Sequence, residues 1–292
     1  MVVYSIKDLE KLSGVKAHTL RIWEKRYNII QPQRTPTNIR YYLDEDLKVI
    51  LNIALLNRNG IKISKIAKMD NGEIQRKVAE ITEVDESFEG QLDSLTISLI
   101  ELDEGKFIKL INKNVEQRGF AATMLEVIYP LLDKLAMMWI AGSIKSIHER
   151  FVSYVIKRKC SVEIDKLPIT KSEDFLIFLP EGESNELSLL FLHYLIRLNG
   201  FRVINAGPNI ELYDLLEVVE IRKPSYIYTI VNDTMTPSQF EIYAERLCTE
   251  FEDATIILSG IRALTYSPPE ELKNRIRVIE SSEETMTFLE SV

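Results

Sequence analysis

The chain has 292 residues, 46% hydrophobic and 27% charged, which is enough for two or three domains with cores of their own. No run of about 18 apolar residues occurs, and the start MVVYSIKDLEKL lacks a basic stretch leading into an apolar one, which argues against a membrane span and a secretory signal. The net charge of −8 is uneven: residues 1–70 hold 13 Lys and Arg against 7 Asp and Glu, and residues 71–292 hold 23 against 37, so a basic head precedes an acidic body.

Ser5 is placed to cap a first helix in which Ile6, Leu9 and Leu12 recur at helical spacing. Ser13-Gly14-Val15 makes a turn, and a second helix is expected from about Ala17 to Tyr27 with Leu20 and Trp23 inward. Pro32 and Pro36 with the polar residues between them suit a tight loop, and Ile39 to Tyr42 can return as a strand. Asp44, Glu45 and Asp46 suit the positive end of a third helix carrying Leu47, Ile50, Leu51, Ala54 and Leu55 inward, and a shorter helix follows Gly60. From about Asp70 to Glu89 the chain is polar and reads as a linker or a solvated helix.

Residues 91–165 carry three or four helical patterns without strand signals, with Pro130 either kinking a helix or sitting in its first turn. Beyond residue 172 the apolar runs FLIFLP, FRVINA, YIYTIV, TIILSG and RIRVIE alternate with amphipathic stretches. That alternation predicts a parallel, doubly wound sheet, with any ligand at the carboxyl ends of its strands. The expected organisation is multidomain, α and α/β: a winged helix-turn-helix over residues 1–70, a linker over 71–90, a helical bundle over 91–168 and a flavodoxin-like doubly wound parallel sheet over 169–292.

The first 42 residues supply what a duplex-reading element needs: side chains near the start of a second helix that reach base edges, and cations for phosphate. His18, Thr19, Arg21 and Lys25 fall on one outward face, and the wing adds Arg34, Asn38 and Arg40, with Tyr41 and Tyr42 as packing or phosphate-bonding groups. Over roughly the first 65 residues the chain resembles the N-terminal domain of the MerR family of bacterial transcription regulators. The resemblance implies sequence-specific binding to double-stranded DNA, with Arg21 and the wing arginines on the backbone. A half-site reader of this size is expected to work as a homo-oligomer, dimer or tetramer; the short polar segment near 75–90 points to the body as the place of assembly.

With a bundle and a doubly wound domain behind such a head, the whole chain resembles the CarH/CarA/LitR group of cobalamin-linked regulators. In that group a Trp-x9-Glu-His motif on the bundle faces the corrin. Here Trp139 and Glu149 keep the spacing, Arg150 stands in the histidine's place, and His148 precedes Glu149. The group's cobalt-ligating histidine lies in an Asp-x-His-x-x-Gly loop after the first strand. This chain reads Glu183, Asn185 and Ser188 at those three positions. An amide is a poor substitute for imidazole at such metals, and His193, two helical turns on, suits a core histidine. Ser259-Gly260 stands where the group has paired glycines for a nucleotide tail.

The ligand-pocket candidates are therefore Trp139, Glu149, Arg150, Glu183, Asn185, Ser259 and Gly260, and histidine-ligated cobalamin is not expected. A light-sensing repressor of that group that holds cobalamin without a protein ligand, another small-molecule effector and a partner protein are the alternatives. No HExxH, GxSxG or Gly-rich phosphate loop is present, and Cys160 and Cys248 form neither a metal cluster nor a disulfide framework. No catalytic residue, no metal site and a cytoplasmic location are expected.

Overall fold

The computed structural model describes residues 4–34, 40–84, 88–140 and 144–292, and contacts divide the chain into two compact units, Met1–Val155 and Ile156–Val292.

The first unit opens with α1 (Ile6–Ser13), a turn, and α2 (Ala17–Tyr27). Ser5 and Asp8 form a reciprocal capping box, the Asp8 N–H donating to Ser5 Oγ at 3.3 Å and the Ser5 N–H to Asp8 Oδ2 at 2.7 Å. Gly14 closes α1 at φ +70°, the left-handed conformation that glycine adopts without strain. Strands β1 (Gln33–Arg34) and β2 (Arg40–Tyr41) pair antiparallel, and Tyr42 exchanges two 2.9 Å backbone bonds with Tyr4, so the wing is tied to the start of the chain. Helix α3 (Asp44–Arg58) packs on α1, which packs in turn on α2, and Leu9, Leu12, Leu20, Trp23, Leu47 and Ile50 are buried. A short α4 (Ile63–Ile66) follows. The polar stretch after it is helix α5 (Asn71–Val84), whose Val78 is buried and which packs on α3.

The bundle is α6 (Phe88–Ile100), α7 (Glu104–Arg118), the single turn α8 (Phe120–Thr123), a π-helical turn over Met124–Ile128, α9 (Tyr129–Ile140) and α10 (Ser146–Asp165). Pro130 is the second residue of α9. The π turn before it, in which the Tyr129 N–H bonds to Met124 O, widens the backbone where the proline ring would otherwise crowd a carbonyl. One polar node joins head and bundle. Asp93 of α6, 8% exposed, accepts from Arg58 Nη1 at 2.5 Å and from Lys134 Nζ of α9 at 2.9 Å, and Arg58 Nη2 donates to Ser13 O at 3.0 Å.

The second unit contains β3 (Asp174–Pro180), α11 (Glu186–Leu198), β4 (Arg202–Ile210), α12 (Leu212–Ile221), β5 (Tyr226–Ile230), α13 (Pro237–Glu250), β6 (Thr255–Ser259), β7 (Ile276–Val278) and α14 (Ser282–Ser291). Its sheet runs β4-β3-β5-β6-β7, every pair parallel, and the order reverses between β3 and β5. This is the flavodoxin-like winding expected from the alternating runs. Every residue of β3 is buried, as a strand covered on both faces requires. Leu176, Phe178, Ile227, Ile256 and Leu258 pack with Leu215, Phe240, Ala244 and Leu247 of α12 and α13. Elsewhere in the core Phe175 stacks on Tyr226 at 4.5 Å, Tyr226 meets Phe288 of α14 edge-on at 5.9 Å, and the Tyr228 hydroxyl pairs with Thr285 at 2.9 Å. Among the described residues no helix is long and apolar enough to cross a membrane.

Candidate DNA interface and the rim of the sheet

Helix α2 turns Leu20 and Trp23 into the core and leaves His18, Arg21 and Lys25 exposed. Thr19 is half-buried, with its hydroxyl 3.3 Å from His18 Nε2. Lys16 at the start of this helix makes no side-chain cap. Glu10 of α1 supplies it instead: Oε2 accepts from the Ala17 N–H at 3.1 Å, and Oε1 pairs with Lys16 at 3.2 Å. That backbone N–H, then Lys16, hold the Glu10 carboxyl below its ordinary range.

The wing is anchored by a second carboxylate. Glu24 of α2 accepts from Arg40 Nε at 3.2 Å through Oε1 and from the Tyr42 hydroxyl at 3.4 Å through Oε2. Tyr42 is fully buried, and burial and Glu24 push its pKa up to about 12; of its two expected roles, packing is the one this position provides. Tyr41 is half-buried and donates to Gln33 Oε1 at 2.9 Å. Arg34 and Arg40 face each other across β1 and β2, both exposed, while Asn38 lies outside the described residues. Sequence reasoning missed Glu10 and Glu24; the one available signal was an acid placed against an otherwise basic segment.

At the carboxyl ends of the strands, the loops are laced to one another. Glu183, 5% exposed, accepts from the Asn232 N–H at 2.6 Å, from Thr234 Oγ1 at 3.0 Å and from Asn232 Nδ2 at 3.3 Å. This carboxylate thus bridges the loops after β3 and β5, at the point where strand order reverses. The Gly182 N–H donates to Asn209 Oδ1 at 2.8 Å, and the Ile261 N–H to Asn232 Oδ1 at 3.4 Å, which draws in the ends of β4 and β6.

Asn185 is exposed and caps α11, its Oδ1 accepting from the Ser188 N–H at 3.4 Å. Ser259 Oγ donates to Thr229 O at 3.5 Å. Gly260 sits at φ +93°, and a Cβ there would lie 2.4 Å from Val231 O, so the crossing of two strand ends requires glycine. His193 is half-buried, its Nδ1 lies 3.3 Å from Asn205 Nδ2, and burial, then Arg197, lower its pKa to about 4.

In the first unit Trp139 ends α9 at 47% exposure, so it is not a core aromatic. Glu149 and Arg150 are exposed in the first turn of α10, and His148 Nδ1 accepts from the Lys145 N–H at 3.0 Å at the start of that helix.

Residues 4–73 match the family described as MerR HTH family regulatory protein. The HTH-type transcriptional repressor CarH of Myxococcus xanthus is 23% identical over 250 residues, 84% of each chain. The HTH-type transcriptional repressor CarA of the same organism is 22% identical over 267 residues, 88% of this chain and 86% of the other. Behind a head that matches the MerR model, the chain is similar to CarH and CarA over most of its length. Among solved structures, the monomethylamine corrinoid protein of Methanosarcina barkeri covers 70% of this chain and 100% of its own at 13% identity, with a TM-score of 0.48.

Cobalt ligated by a side chain needs a donor such as imidazole free to reach it. Asn185 commits its carbonyl to its own helix, Glu183 commits both oxygens to the neighbouring loop, and the Nδ1 of His193 meets Asn205. The donor set does not fit a cobalamin ligated through the protein. Cys160 and Cys248 are buried, and burial raises both thiols, Cys160 to about 12, which suits packing rather than metal or redox chemistry.

Proposed function

We propose that this MerR-family, DNA-binding regulator works in the cytoplasm as a homo-oligomer on two-fold-related operator DNA, and that its CarH-like body transmits a signal other than cobalt ligated by a side chain. The observation that carries the reading is Glu183. A carboxylate placed at the switch point of the sheet, where an open α/β sheet ordinarily receives its ligand, has its oxygens taken up by Asn232 and Thr234 and so ties two loops together instead of being offered to a ligand. The head engages the duplex through His18, Thr19, Arg21 and Lys25 of α2 and grips its backbone through the wing arginines Arg34 and Arg40. The body assembles the subunits and takes a small-molecule or protein signal.

A second reading rests on Trp139. An aromatic exposed at the end of α9, ten positions before Glu149, offers a corrin face a stacking surface without any bond to cobalt. One experiment separates the two. The protein is incubated with adenosylcobalamin in the dark, desalted, and its absorption spectrum recorded, with operator binding and particle size measured before and after light. A colourless protein that still binds DNA supports the first reading. Retained corrin colour with light-dependent assembly overturns it in favour of the second.

A further inference from the structure

The face of α2 opposite its core contains one side chain that the charges around it leave unexplained. At about 100° per residue, Leu20 and Trp23 define the buried side, and His18, Arg21, Ile22 and Lys25 fall within a single sector on the opposite side. Ile22 lies at one edge of that sector, between His18 and Arg26, and is 49% exposed. A lone exposed aliphatic is commonplace on a protein surface. Here its helical neighbours are His18, Thr19, Lys25 and Arg26, all polar or cationic, the surroundings in which an apolar residue brings no solubility and no phosphate contact. Ile22 is also β-branched and stiff about χ1, so holding it against a partner costs little rotamer freedom.

We infer that Ile22 is a specificity-determining residue that packs against the 5-methyl group of a thymine in the major groove. The inference rests on the proposal that α2 is the base-reading helix. Each base pair presents a distinct pattern in that groove, and the thymine methyl is its one apolar feature. His18, Arg21 and Lys25 would hold the helix against the phosphate-lined groove, and Ile22, pointing the same way from the second turn of α2, meets the base edges. In this arrangement the charged residues fix register and affinity, and Ile22 makes the helix prefer T·A over C·G at one position of each half-site. Glu24 lies off this sector, engaged with Arg40 and Tyr42, and leaves the apolar contact clear.

The test uses the full-length protein and a duplex selected by it from a randomised pool. Each thymine of the selected duplex is replaced in turn by deoxyuridine, which removes only the methyl group. The unsubstituted protein should lose about five- to ten-fold in affinity at one position per half-site. Ile22→Ala should bind the thymine duplex more weakly by a similar factor and show no further loss with deoxyuridine at that position, whereas Ile22→Val should keep most of the discrimination. Because Ile22 is half exposed, the circular dichroism and melting of the variants should match the parent. Equal affinity for every deoxyuridine duplex, or an undiminished deoxyuridine effect in Ile22→Ala, overturns the inference while leaving DNA binding intact. Failure to select any duplex overturns the inference together with the reading of α2.

Discussion

His193 shows how one side chain ties stability to pH. Its folded pKa of about 4 lies below the ordinary 6.5 because burial, and then Arg197, disfavour the imidazolium. Between those values the unfolded chain binds the proton and the fold does not, so stability is intact above about pH 6.5. It falls as pH drops through that value and stops falling below about 4. At about 1.4 kcal/mol per pH unit, and allowing for the ring's partial contact with water, the loss amounts to about 2–3 kcal/mol. Substituting His193→Gln should flatten the pH dependence of the urea midpoint over this interval; an unchanged profile would remove His193 from the account. Gly260 illustrates a backbone demand. In Gly260→Ala the added carbon meets backbone atoms of Val231 at 2.4–2.9 Å, whereas in Gly182→Ala it meets only the Thr234 side chain, at 3.4 Å and beyond. Both glycines have positive φ, so the difference isolates the clash: Gly260→Ala should cost about 3 kcal/mol or more and Gly182→Ala about 1 kcal/mol in denaturant unfolding.

At the scale of elements, helices are held by residues remote from them in sequence. The carbonyls at the end of α13 and just beyond it are gathered by Arg275, which donates to Cys248 O at 2.9 Å, Phe251 O at 2.6 Å and Ala254 O at 3.3 Å. The start of α2 is capped by Glu10 in the same indirect way. The most consequential case is Asp93, which ties α6 to α3 through Arg58 and to α9 through Lys134, while the same guanidinium holds the carbonyl of Ser13 beside the helix-turn-helix turn. Removing a mostly buried partner leaves charges uncompensated, tempered here by the 38% exposure of the Arg58 side chain. Asp93→Ala should therefore lower the stability of the first unit by about 2 kcal/mol. Thermal unfolding followed by Trp23 and Trp139 fluorescence reads this out, and an unshifted midpoint would show that the node contributes nothing net.

For the whole molecule the decisive property is the division of charge. A head of 13 cations against 7 acids precedes a body with 14 more acids than cations, so the head is drawn to the duplex and the body is turned from it. Each phosphate contact adds about 0.9 to the slope of log affinity against log salt. Arg40→Ala should reduce that slope by about 0.9 and weaken every sequence alike. A slope equal to the parent's would confine Arg40 to its ion pair with Glu24. The two compact units match this division only roughly, since the first unit contains the head and most of the bundle, with α10 running from one unit into the other.

Much of this was legible in the residues because it depends on local rules. The Ser5 cap, the Gly14 turn and the burial of Leu20 and Trp23 follow from propensity, period and capping chemistry, which act within a few residues. The five parallel strands and their flavodoxin-like winding follow from apolar runs alternating with amphipathic ones. The sequence also contained the change of donor at Asn185 and the displaced His148. Tertiary structure alone decided what those side chains do. That Asn185 caps its own helix, that Glu183 closes the loops after β3 and β5, that Tyr42 is core and Trp139 exposed, and that Glu10, Glu24 and Asp93 act at a distance are matters of which chain segments meet. Contacts between residues far apart along the chain leave no periodic mark in the sequence, and burial and hydrogen-bond partners exist only once those segments have packed.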